Sequence, residues 1–128
     1  MDKALNYILV NNAGVTALVG TKIYFGIIPQ NISEPYVLFN EVNRRGVNDK
    51  SGVASVDVST VQFDCYSSSP TIAINTAEAV RTALDRYAHG TIEGTNLAGI
   101  SFEEQHNDFD EIMELHRVII DFQVRVNK

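Results

Sequence analysis

Apolar and polar positions alternate most strictly near the end of the chain. Val118, Ile120, Phe122, Val124 and Val126 share one parity, and Arg117, Asp121, Gln123 and Arg125 share the other. Period-two spacing of this length predicts a strand over residues 114–126, packed on one face and polar on the other. Near the other terminus, Leu5, Ile8 and Leu9 fall at helical spacing. They predict a short helix over residues 2–12, with Asp2 as its N-cap and Gly14 just past its end.

Between these ends the pattern changes period several times. Residues 22–25 read as a brief strand closed by Gly26, and Pro29 and Pro35 bracket an extended loop, because proline pushes its predecessor toward extended geometry. A strand over residues 36–42 follows. Residues 43–55 hold Arg44, Arg45, Gly46, Asn48, Asp49, Lys50, Ser51 and Gly52, with Val47 the one apolar residue before Val53. This stretch is expected to be a long polar connection, either mobile or ordered by a partner. In the next strand, residues 56–67, Val61, Phe63 and Cys65 face one way and Thr60, Gln62 and Asp64 the other. Ser67, Ser68 and Ser69 end it.

A helix over residues 71–89 is then predicted by the stripe Ala73, Ala77, Val80, Leu84 and Tyr87, with Gly90 as its cap. A strand over residues 97–106 pairs antiparallel with the closing strand across a hairpin at residues 107–113. Taken together, the elements predict an α+β fold in a single domain over residues 1–128. Its mainly antiparallel sheet has about five strands, with one long helix packed on one face and a short N-terminal helix.

Composition narrows the function classes. Hydrophobic residues at 45% and charged residues at 20% are those of an ordinary soluble domain. The apolar runs are shorter than a membrane span and the first residues lack a signal-peptide pattern, so the expectation is a cytosolic protein that leaves the cell only inside a particle. A formal charge of −6 argues against gripping nucleic acid, which takes a surplus of Lys and Arg to neutralise phosphates.

No reactive constellation emerges. Cys65, the only cysteine, sits at an apolar strand position and reads as buried filler. His89, His106 and His116 are far apart and match no metal-ligand spacing. Gly46 and Gly52 do not open a helix as a phosphate loop would, and the serine run is explained by turn chemistry. Asp108, Asp110 and Glu111 surround Phe109, with Glu103 and Glu104 just before, but the calcium-loop spacing with its central glycine is missing. Phe109 and Ile112 instead mark this acidic hairpin for contact. The expectation is therefore no catalytic residue, no cofactor and no metal.

Several segments taken together resemble a known family. Gly20-Thr21-Lys22-Ile23-Tyr24-Phe25-Gly26, Pro29-Gln30 and Pro35-Tyr36-Val37 are similar to the opening of the small tail completion proteins of long-tailed bacteriophages and prophages. Val61 to Ser67 resembles that family's middle strand, Ala77 to Asp85 its long helix, and His116 to Phe122 its closing strand. The resemblance implies a structural tail terminator at the head-tail junction of a virion, assembled in the bacterial host cytoplasm. It implies a homo-oligomeric ring, a hexamer in the usual case, that caps the tail tube and meets the tube protein and the head-tail connector protein. DNA would pass through without specific binding, and no membrane would be involved. The alternatives are another connector or tail tube subunit, or a small metal-dependent enzyme.

Six copies at −6 each would carry −36, and such a lumen repels phosphate. Opposite charge on two exposed segments then pairs Arg44, Arg45 and Lys50 of one subunit with Asp108, Asp110 or Glu111 of the next, and Asp49, Phe109 and Ile112 complete the nominated subunit or partner interface.

Overall fold

The computed structural model describes residues 1–48, 54–87 and 90–127. Three helices and six strands follow one another as α1 (Asp2–Val10), α2 (Ala13–Val19), β1 (Ile23–Phe25), β2 (Tyr36–Asn48), β3 (Ala54–Ser67), α3 (Pro70–Leu84), β4 (Gly90–Ile92), β5 (Thr95–Asp110) and β6 (Leu115–Asn127). The strands form one curled sheet in the order β1-β2-β3-β6-β5-β4. Only β1 and β2 run parallel; every other neighbouring pair is antiparallel.

Sheet alternation makes the core. Val37 and Phe39 of β2, Val61, Phe63 and Cys65 of β3, and Val118, Ile120, Phe122 and Val124 of β6 point to one face and are buried. Against them pack Leu5, Ile8 and Leu9 of α1, Val15 and Val19 of α2, and Ala73, Ala77, Val80 and Leu84 of α3. Five phenylalanine rings run through this layer: Phe25 to Phe39 at 5.2 Å, Phe39 to Phe63 at 5.0 Å, Phe63 to Phe122 at 5.6 Å and Phe122 to Phe102 at 6.1 Å between centroids. Each fully buried phenylalanine contributes roughly 1.5–3 kcal/mol from removal of its surface from water. Arg81 closes the row, its guanidinium 3.7 Å above the Phe102 ring.

The expected sheet of about five antiparallel strands under one long helix is corrected here. The sheet has six strands and is mixed, and three short helices cover it. Gly14 does not end the helical region, because Asn12 restarts it: the Asn12 Oδ1 atom accepts the Val15 N–H at 3.1 Å and caps α2. At α1 the N-cap is Met1 and Asp2 is the first helical residue.

Helix α3 stops at Leu84 because the chain turns back to the sheet. The Asp85 carboxylate accepts the Phe102 N–H at 3.0 Å, and the Arg86 N–H donates to the Ile100 carbonyl at 2.8 Å, with Arg86 at φ 59°. Gly90 opens β4 instead of capping a helix, and His89 lies outside the described residues.

The polar stretch at residues 43–55 is largely strand: β2 continues to Asn48 and β3 begins at Ala54, paired from Asn48↔Ala54 down to Tyr36↔Tyr66. Its polarity reflects exposure on both faces where the hairpin outruns the helices, and it gives no apolar signal of a strand. Residues 49–53, with Asp49 and Lys50, lie outside the described residues. The acidic hairpin is likewise tighter than expected, since β5 reaches Asp110 and only residues 111–114 turn.

Candidate assembly surfaces

Most of the sheet's two rims is open. On one side β1 covers β2 only from Val37 to Phe39, and the Gly26 N–H adds a bond to the Phe39 carbonyl. From Asn40 to Asn48 no described strand pairs with the outer side of β2. On the other rim β4 covers β5 only at Thr95–Leu97, and the α3 exit ties down the Ile100 carbonyl and the Phe102 N–H. From Glu103 to Asp110 the outer side of β5 is open among the described residues. Each open run carries a one-residue register shift at or near its start, at Val42 in β2 and at Glu103 in β5. Such bulges, with flanking charge, keep an open edge from indiscriminate pairing.

The nominated interface residues fall into two groups at opposite ends of the strands. Arg44 and Arg45 lie opposite Ser59 and Val58 of β3, which in turn oppose Val124 and Arg125 of β6. Asp108 and Phe109 oppose Arg117 and His116 at the start of β6. Eight residues of strand, about 26 Å, separate these levels.

Arg44 is already engaged within its own chain: its Nη2 donates to Glu41 at 2.9 Å, its Nε donates to the buried Ser59 hydroxyl at 3.2 Å, and Asp57 lies 3.9 Å away. Arg45 is exposed, and no described carboxylate bonds to it.

At the far end the side chains hold one another in place. The Asp110 Oδ1 atom accepts the N–H groups of Ile112 and Met113, each at 3.0 Å, and fixes the turn. Phe109 meets His116 edge to face with centroids 5.0 Å apart. Glu111 is exposed, and Ile112 is 98% exposed.

Sequence reasoning missed a row of side chains across the polar face of the sheet. Register places Tyr36, Tyr66, Arg117 and Asp108 side by side, with Asp64 one step along. The Tyr36 and Tyr66 rings meet tilted with centroids 5.1 Å apart, and Arg117 bonds to Asp108 and lies 3.9 Å from the buried Asp64. Burial raises Asp64, against the pull of Gln62 and Arg117, and pushes the Tyr36 phenol up to about 12. Hydrogen bonding to Arg117 lowers Asp108. The period-two pattern held this signal, since all these residues sit at the polar parity of their strands.

Two steps farther along, Glu104 and Asp121 face each other. Burial, then the adjacent Glu104 carboxyl, raises Asp121.

Chemistry is sparse. Cys65 is buried and its thiol is pushed well above the ordinary range by that burial. Among the described residues no three His, Cys, Asp or Glu side chains come together as a metal cage, and no helix is long and apolar enough to cross a membrane. A cleft of about 320 Å³ opens between α1 and the β1–β2 rim, lined by Lys3, Asn6, Tyr7, Val10, Phe25 and Glu93 among others.

What the molecule offers is rims and ends, as a structural subunit does. Residues 3–127 match the family "Tail completion protein gp17", and the chain belongs to that family. No curated protein matches it by sequence. Among solved structures, a chain of the virion of a native gene transfer agent particle is similar, at 25% identity and a TM-score of 0.82 over 98% of this chain and 92% of that one. The chain is thus a structural tail completion protein of a phage-like virion, as the resemblance implied.

Proposed function

We propose that this protein closes into a ring that caps the tail tube and joins it to the head, leaving a passage for DNA. The observation that carries the proposal is the pair of open sheet rims. They are different surfaces, β2 from Asn40 onward and β5 from Glu103 onward, so joining one to the other is a head-to-tail contact, the type that closes into a ring. Because β2 and β5 run in opposite directions in the sheet, the junction is antiparallel.

The open halves lie at opposite ends of the strands. Closing a sheet around an axis needs tilt and stagger, which is the offset that brings such halves together. In that arrangement Arg45, with Lys50 and the already bonded Arg44, approaches the acidic rim formed by Glu103, Glu104, Asp108, Asp110 and Glu111. The contact selects orientation more than it adds affinity. The ring has six copies in this reading, carries no catalytic centre, and presents a net negative charge past which DNA slides.

Arg45→Glu tests the seam without disturbing a side-chain bond among the described residues. Ring formation, followed by light scattering and electron microscopy of the purified protein, is expected to fall, and Glu103→Lys with Glu104→Lys is expected to restore it. Rings unaffected by any of these changes would remove the charged seam. Unlimited tubes instead of closed rings would favour a tail tube subunit.

A further inference from the structure

One end of the molecule carries exposed apolar side chains that the charged lateral seam does not use. At the β5–β6 turn and the start of α3, Ile74, Phe109, Ile112 and Met113 are all exposed apolar side chains. Ile74 and Phe109 meet at His116, Ile74 sharing a small recess with it and Phe109 packing on its ring, and Ile112 and Met113 follow in the turn that ends β5. Around them stand Asp108, Asp110, Glu111 and Glu114. The only cation among these side chains, Arg117, is committed to Asp108 and Asp64.

The patch is also held rigid. Asp110 fixes the backbone of Ile112 and Met113, Asp108 accepts the Phe109 N–H at 2.8 Å, and Glu114 turns the chain at φ 55°. An almost fully exposed isoleucine on a fixed turn has its ordering cost met before any contact forms, the property of a preorganised binding knob.

We infer that this end docks the protein onto an adjoining ring of the same particle, through an apolar recess bordered by Lys and Arg into which Ile112 and Met113 insert. The inference rests on the ring reading above, because a ring turns each knob into one of several on a single rim. Many weak copies then act together. A basic border is required by the chemistry: with Arg117 paired to Asp108, the carboxylates of Asp110, Glu111 and Glu114 repel an acidic partner and attract a basic one. A second copy of this ring stacked on the first, end to end, is the competing occupant.

The test uses the full-length protein with tail tubes assembled in its absence, and separately with the purified head connector ring. Ile112→Ser removes the knob at a solvent-exposed position, and Glu114→Lys reverses a charge of the border. Both variants are expected to form rings like the wild type. Co-sedimentation with tubes or connector should fall about tenfold or more, as for loss of a central contact. Wild-type binding should weaken as salt rises toward ~0.3 M. Unchanged binding overturns the inference, as does loss of rings in the Ile112 variant, which would make the turn part of the lateral seam. Wild-type rings stacking on one another through this end would also overturn it. If the wild type forms no rings while the variants still lose partner binding, the ring reading fails and the docking end stands.

Discussion

Replacing Arg117 by Met isolates the electrostatic work done on the polar face. Methionine keeps an unbranched stem against the neighbouring strands and removes the guanidinium. Asp64, with a side chain only 8% exposed, then loses its nearest cation and keeps the Gln62 amide at 3.1 Å. Removing one partner of a fully buried pair costs about 3–5 kcal/mol. Here the separation is 3.9 Å, Arg117 keeps contact with water, and the Gln62 bond survives, so about 1–2 kcal/mol is expected. For a domain of this size that lowers Tm by roughly 4–8 °C.

The loss has a definite pH signature. Asp64 is already raised by burial, and without Arg117 it rises further. A carboxyl whose folded pKa lies above its unfolded value stabilises the fold below the unfolded value, and that contribution is lost as pH rises through the folded one. The gap between wild type and Arg117→Met should therefore be smallest near pH 3, widen as Asp64 ionises, and level off above. Adding Asp64→Asn should recover most of the loss at pH 7, giving a coupling of about 1 kcal/mol in a double-mutant cycle. Thermal melts between pH 3 and pH 8 read all of this. A penalty that is constant with pH and indifferent to Asp64→Asn would place the loss in packing and refute the argument.

Two further outcomes follow from the same structure. Asp121→Asn removes a raised carboxyl facing Glu104, so Tm should increase at pH 7 and stay unchanged near pH 3, where both forms are neutral; a decrease at pH 7 in thermal melts would contradict it. Asn12→Ala removes the cap that starts α2 and should cost about 1 kcal/mol in urea unfolding with the m-value unchanged.

Legibility followed burial. Phe63, Ile120 and Phe122 lie at alternating positions in strands packed on one side, and burial on one face is what period-two spacing records. The candidate contact residues were legible as exposed charge and exposed apolar side chains, Arg45 and Ile112 among them. Their relation to one another was not, because Arg44 spends its charge on Glu41 and Asp57, and Asp108 spends its own on Arg117. Strand beyond residue 42 was invisible for the same cause in reverse: with water on both faces, no hydrophobic period is written.

By itself the chain determined the alternating strands and the apolar stripe of α3, since these depend on neighbours a few residues apart. The parallel docking of β1, the early stop of α3 at Asp85, the row from Tyr36 to Asp108 and the two open rims were decided by tertiary structure. Each depends on which distant backbone groups find partners. Unpaired N–H and C=O groups carry no mark in the residues that bear them until the sheet order is set.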